Sequence, residues 1–108
     1  MSPLTATAKT IQTVIRYTEN SKMPLQQLSI LLYVAQFSEV PMSDLIRAAG
    51  VEQASVSRNV AILGQGLSPR EKGYGLIEAY EDPEYRRRKL VKLTARGVAL
   101  KKDLEALT

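Results

Sequence analysis

Residues 49–63 read AGVEQASVSRNVAIL, and this stretch decides the fold of the chain. Gly50 can adopt the positive φ that ends a helix abruptly, so the pattern predicts a tight turn at this residue. After the turn, Val56, Val60 and Leu63 recur at intervals of four and three residues, which predicts a helix with one buried stripe. A short helix, a glycine turn and this second helix together make a helix-turn-helix.

The opposite face of the predicted second helix carries side chains that suit contact with DNA. No carboxylate follows Glu52 in this helix, and amide, hydroxyl and guanidinium groups can bond to base edges and phosphates. Arg58 matches the hydrogen-bonding edge of guanine, and Asn59 matches that of adenine. An ordinary solvated helix capped by its serines is the alternative interpretation. The predicted DNA-reading residues are Gln53, Ser55, Ser57, Arg58 and Asn59.

Composition narrows the classes of function. The 108 residues predict one domain, and a net charge of +4 with a pI near 9.5 favours a polyanionic partner. Without Cys or His there is no Cys/His metal site. Ser55 and Ser57 also lack a histidine base, so we expect a protein that is not an enzyme and uses no cofactor. No apolar run approaches the ~20 residues of a membrane span and no signal peptide opens the chain, which predicts a cytoplasmic protein.

Apolar periodicity predicts helices on both sides of this motif. The first runs from Thr5 to Asn20. The second, Leu25–Ser38, is apolar on nearly every side, which predicts that it forms the centre of the core. Ser43 is placed to cap the short helix that precedes Gly50, and Thr94 is placed to cap the last helix.

The two terminal segments, 1–22 and 95–108, carry more apolar surface than one small core needs. Packing on the core or docking on a second copy of the chain would bury it. We expect these helices to hold a homodimer. The predicted dimer contacts are Leu4, Ala8, Ile11, Ile15, Leu100, Leu104 and Leu107.

Two strand-like segments, Leu76–Glu81 and Lys89–Thr94, flank an arginine-rich turn that begins with Asp82-Pro83. A charged tip that keeps an exposed hairpin soluble is one interpretation. Adjacent arginines repel one another, however, and a polyanion would neutralise them. The predicted phosphate or minor-groove contacts are Arg86, Arg87, Arg88 and Lys89. A short edge strand is predicted over 39–41.

The glycine-rich stretch 64–75 reads GQGLSPREKGYG and predicts an irregular loop, whose mobility the sequence leaves open. It lacks the Lys-Ser/Thr ending of a P-loop, so nucleotide binding is not expected there.

The order of these elements, together with several motifs, resembles the multiple-antibiotic-resistance-regulator (MarR) family of bacterial transcription factors. The resemblance implies a mostly α-helical winged helix-turn-helix with a small β-hairpin (α+β). It also implies a homodimeric repressor that binds double-stranded DNA, with its recognition helix in the major groove and its wing near the minor groove. The matching motifs are Pro24–Leu31, Val56–Val60 with Leu63, Gly75–Ile77, Asp82-Pro83, Arg86-Arg87, and Lys89–Thr94 followed by Gly97.

Several features depart from the family pattern. Residues 65–74 look inserted, Tyr85 stands where an aspartate is usual, and Glu78 with Ala79 replaces a usual arginine. The terminal helices are shorter than in most members. Because such helices usually frame a small-molecule pocket, the resemblance leaves the binding of an effector open.

Two other functions remain open from the sequence. A centromere-binding or replication-accessory protein of a plasmid or phage would coat tandem sites, whereas a regulator would bind a palindrome near a promoter. A winged-helix protein-interaction module belongs to a different class and usually has an acidic or apolar recognition helix and a wing without cations. This chain has the reverse pattern. The resemblance implies a bacterial, phage or plasmid origin.

Overall fold

Residues 2–107 are described by a computed structural model, in which five α-helices and three β-strands follow one another along the chain. Within that range no helix combines the length and the apolar character needed to span a membrane. The architecture is the predicted α+β arrangement, in which the hairpin and the short edge strand form a three-stranded sheet. The elements are α1 (Pro3–Thr18), α2 (Leu25–Phe37), β1 (Glu39–Pro41), α3 (Met42–Ala49), α4 (Gln53–Leu63), β2 (Ile77–Glu81), β3 (Lys89–Leu93) and α5 (Ala95–Glu105).

Helix α2 forms the centre of the core, as its all-round apolar character predicted. Ile30, Leu31 and Val34 are buried almost completely. The helix packs against α3, α4, α5 and the strands β1 and β3. The buried residues form one wide stripe whose burial stabilises the domain, whereas Leu25 and Phe37 of the same helix are exposed.

The sheet is antiparallel with the strand order β1-β3-β2. The predicted edge strand is confirmed, because Val40 of β1 pairs with Val91 of β3. On the other side of β3, Ile77 pairs with Leu93. These four apolar side chains are buried against the helices, and Glu39, Glu78 and Lys92, each one residue away along its strand, lie on the other face and are not buried.

Helix ends agree with the sequence in two places and differ in a third. Gly50 ends α3 with a φ of 67°, which confirms the predicted turn. The Thr94 hydroxyl accepts a hydrogen bond of 3.1 Å from the backbone N–H of Gly97, which confirms the predicted cap of α5. The prediction for Ser43 was wrong: α3 begins at Met42, and Pro41 precedes it without a side-chain cap. Since Ser43 already lies in the first turn, its hydroxyl is left facing solvent.

Residues 64–75, here called the glycine loop, have a defined backbone in place of the irregular conformation that glycine content predicted. The N–H of Gly66 donates to the Ala61 carbonyl at 2.7 Å, and that of Leu67 donates to the Glu71 carbonyl at 2.9 Å. Gly66 has a φ of +103°, and a Cβ added there would lie 2.1 Å from the Glu71 carbonyl oxygen. The glycines therefore allow two backbone segments to approach closely and form a small hairpin.

Candidate nucleic-acid interface

The apolar stripe of α4 determines which of its residues face solvent. Val56, Val60 and Leu63 are buried against α2 and β2, as predicted. The opposite face therefore points outward. Its exposed side chains are Gln53, Ala54, Ser57 and Arg58. Ala54 was not among the predicted residues, although its position one turn before Arg58 would have indicated this face.

Two predicted DNA-reading residues lie to the side of that face. Asn59 is half-buried, and its Nδ2 donates to Oε1 of Gln26 on α2 at 2.5 Å. This bond contradicts the prediction of an amide free to meet adenine, because the side chain already joins α4 to α2. Ser55 is also half-buried, and its hydroxyl lies 3.5 Å from a Glu52 carboxylate oxygen.

Asp82 organises the wing, the turn between β2 and β3. Its Oδ1 accepts from the N–H of Glu84 at 2.9 Å, and its own N–H donates to the Arg88 carbonyl at 2.9 Å. Its Oδ2 lies 3.9 Å from Nε of Arg88. Asp82 is 9% exposed, so this acidic side chain supports the turn from inside and restrains Arg88. Within residues 2–107, Arg86 and Arg87 are exposed and have no ion-pair partner.

A groove of about 330 Å³ lies between α4 and the wing, and brings together residues that the sequence assigned to separate elements. Ser43, at the start of α3, also lines it, so this serine belongs to the surface and not to a helix cap. Its hydroxyl can donate to a phosphate oxygen. The predicted DNA-binding residues that line the groove are Gln53, Ser57, Arg87, Arg88 and Lys89.

The outer face of the sheet carries paired charges. The Tyr80 hydroxyl donates to the Glu39 carboxylate, and this hydrogen bond, with a smaller effect of desolvation, raises the pKa of Tyr80 to about 12. Lys92 Nζ lies 3.4 Å from Glu78 Oε1 and 4.9 Å from the centre of the Tyr80 ring. The negative charge of Glu78 beside the wing is therefore balanced, and Lys92 is less available to a phosphate than its neighbours in sequence.

The predicted dimer contacts fall into three groups. Leu4 is 83% exposed and Ile11 is 39% exposed, and Ala8 between them is exposed as well. Leu100 is fully buried in the core of the single chain, so it cannot contact a partner as predicted. The half-buried members are Ile15, Leu104 and Leu107.

Two exposed apolar residues near these helices were not predicted. Val98 on α5 is 40% exposed and Phe37 at the end of α2 is 56% exposed. Val98 lies outside the leucine stripe of α5, and this position in the sequence could have indicated that its side chain is exposed. Helices α1 and α5 pack against each other, and a 2.6 Å hydrogen bond from the Tyr17 hydroxyl to Oδ2 of Asp103 joins them. Residues 2–107 hold no cluster of acidic side chains suited to a metal ion.

Comparison with known proteins identifies the fold. The sequence matches no established family model, and no curated protein matches it. BpsR from Bordetella bronchiseptica is 24% identical, with a TM-score of 0.58 over 94% of this chain and 71% of that chain. A mutant of MarR from E. coli, complexed with operator DNA, is 19% identical, with a TM-score of 0.62 over 95% of this chain and 68% of that chain.

A mutant of MepR from S. aureus, bound to an oligodeoxyribonucleotide, is 21% identical. Its TM-score is 0.65, and the match covers 94% of this chain and 67% of that chain. The elements shared with these proteins include the helix-turn-helix, the wing and the terminal helices described above. This chain therefore has the winged helix-turn-helix fold of MarR-type transcriptional regulators.

Proposed function

We propose that this protein is a sequence-specific double-stranded DNA-binding protein that acts as a homodimeric transcriptional repressor. The observation that carries the proposal is the shared groove, where uncharged polar groups of α4 lie beside cations of the wing. The uncharged polar groups can bond to base edges, and the cations can neutralise phosphates. A surface that places both together suits a duplex better than any other polyanion.

In the proposed complex, α4 lies in the major groove. Arg58 has no hydrogen-bond or ion-pair partner within residues 2–107, so its guanidinium is free to bond guanine O6 and N7. Gln53 can bond adenine, and the Ala54 methyl can contact the methyl group of thymine. Asn59 acts differently from its predicted role, because its bond to Gln26 sets how α4 is oriented.

The wing supplies contacts that do not depend on sequence. Arg86 and Arg87 extend from a turn that Asp82 stabilises, which suits them to phosphates or to a narrow minor groove. Lys89 and the partly restrained Arg88 lie closer to α4 along the groove. The wing therefore adds affinity and orientation, whereas α4 adds selection among sequences.

The exposed apolar residues of the terminal helices support the homodimer. Leu4 and Ile11 on α1 and Val98 on α5 would lose unfavourable contact with water in a two-fold interface. Two copies related by such an axis would read an inverted repeat, with half-sites about one helical turn apart. Repression then results from occupancy of a promoter, in the cytoplasm where the DNA of a bacterium, phage or plasmid lies.

The solved relatives support DNA binding by their own complexes. The MarR structure is a complex with operator DNA, and the MepR structure is bound to an oligodeoxyribonucleotide. DNA binding by BpsR is regulated by 6-hydroxynicotinic acid. We assign DNA to this chain on the basis of its own groove, and we assign no effector.

Selection of duplexes from a random pool tests the proposal, followed by titration of Arg58→Ala and Asn59→Ala on the preferred duplex and its single-base variants. We expect Arg58→Ala to lose about 1–3 kcal/mol at one position of each half-site, with relaxed preference there. Asn59→Ala should weaken binding to all duplexes alike, since it loosens α4 without removing a base contact. Lys9→Ala serves as a control on α1. A wild-type protein that enriches no sequence would refute the proposal.

A further inference from the structure

The glycine loop is held in place at both ends. At its start, the N–H of Gly66 bonds the Ala61 carbonyl in the last turn of α4. At its end, Nη1 of Arg96 on α5 donates to the Tyr74 carbonyl at 2.5 Å, and Nδ2 of Asn20 donates to the Tyr74 hydroxyl at 2.8 Å. Elements from three parts of the fold therefore set the position of the loop relative to α4.

The tip of the loop presents cations from a structured turn. The N–H of Glu71 donates to both the hydroxyl and the carbonyl of Ser68, each at 3.1 Å. Arg70 and Lys72 on either side of Glu71 are exposed, and neither has an ion-pair partner within residues 2–107. Because the backbone that carries these two cations is already folded, little conformational entropy would be lost when they bind a phosphate.

A chain of adjoining grooves connects this tip to the wing. The groove between α4 and the wing contains Ser57 and Lys89, and both also line a second groove that reaches Gln65 and Gly66. Gly66 also lines a third groove, which ends at Lys72. A series of adjoining grooves therefore runs along α4, with the wing cations at one end and Lys72 at the other.

The dimensions of a duplex fit this series of grooves. Helix α4 has 11 residues, or about 16 Å at 1.5 Å per residue, whereas the major groove is about 12 Å wide. A helix of this length placed across the groove would reach one phosphate backbone near the wing and the other near its own C-terminus. The glycine loop begins at that C-terminus. The carboxylate of Glu78 along these grooves is balanced by Lys92, so it does not repel a phosphate strongly.

We propose that the glycine loop is a second phosphate-binding arm. Arg70 and Lys72 contact the DNA backbone across the major groove from the wing, so that α4 is flanked by cationic arms on both sides. This inference rests on the proposed DNA-binding function and deepens it. The insertion between the recognition helix and the wing is then a functional element that enlarges the footprint of each protomer.

The test variant carries both Arg70→Ala and Lys72→Ala. A control variant with the same loss of charge carries both Lys9→Ala and Lys102→Ala. The wild-type protein and both variants are titrated with the preferred duplex over a range of salt concentrations. Two lost phosphate contacts in each protomer should flatten the slope of log K against log salt by about 1.8 per protomer, and the control should keep the wild-type slope. Ethylation interference should show that the loop variant no longer depends on phosphates of the strand opposite the wing.

Equal slopes for the loop variant and the control would overturn the inference while leaving the proposed function intact. If the wild-type protein binds no duplex DNA, the proposed function fails and the loop contact fails with it, so the two failures are distinguishable. Thermal unfolding gives a check on folding: both variants change exposed side chains, and we expect the wild-type midpoint for each.

Discussion

Replacing Arg86 and Arg87 with alanine tests whether the wing contacts phosphates. Both side chains are exposed without an ion-pair partner in the described part of the chain, whereas Arg88 lies 3.9 Å from Asp82 and is already restrained. The structure therefore predicts two free contacts per protomer. At about 0.9 for each contact, the double variant should flatten the slope of log K against log salt by about 1.8 per protomer.

The assay is fluorescence anisotropy with a labelled duplex at a series of salt concentrations, using the preferred sequence and a random one. Loss of phosphate contacts should weaken both duplexes by the same factor, because phosphates carry no sequence information. Arg88→Ala is the informative comparison: it should change the slope less, since its guanidinium already has a carboxylate partner. An unchanged slope in the Arg86→Ala, Arg87→Ala variant would refute the assignment of the wing as a DNA contact.

Three further predictions concern the dimer, the core and the sheet. Leu4→Glu with Ile11→Glu should give a folded monomer in sedimentation, because both side chains are exposed in the single chain; a persistent dimer would place the interface elsewhere. Leu100→Ala should cost about 2–5 kcal/mol in the free energy of unfolding by urea, since it leaves a cavity in the core. The raised pKa of Tyr80, about 12, means that stability falls as pH rises from 10 to 12, where the unfolded state ionises first. Tyr80→Phe should reduce that dependence and remove the latest step in a phenolate absorbance titration; the part that remains comes from Tyr17, whose pKa is raised by its hydrogen bond to Asp103.

Periodicity predicted the parts of the fold that depend on local pattern. The stripe of Val56, Val60 and Leu63 indicated which face of α4 is buried, and that face is buried. The same reasoning failed for Asn59, since its partner Gln26 lies on another helix, 33 residues away in sequence. A polar residue on the side of a helix can face solvent or a neighbouring helix, and spacing within its own helix does not distinguish the two.

The error for Leu100 and the unpredicted shape of the glycine loop have the same physical origin. A leucine stripe shows that one face of α5 is buried but not what covers it, and the core of the single chain covers Leu100. Glycine content predicted a loop over residues 64–75 but not its shape, because the bonds that define the loop join backbone groups and leave no side-chain pattern. What glycine provides there is space: at Gly73 an added Cβ would lie 2.3 Å from the Gly64 carbonyl oxygen.

Base recognition by this fold depends on how α4 is rotated about its own axis. With 3.6 residues per turn, a rotation by one residue, about 100°, would turn the outward side chains aside and replace them with others. The buried stripe of α4 opposes such a rotation, and so does the hydrogen bond between Asn59 and Gln26. The direction of the Arg58 side chain is therefore set by groups that it does not contact. In the proposed complex Gln26 would therefore contribute to specificity although it lies on α2 and contacts no base, because its bond to Asn59 helps to set which residues of α4 face the DNA.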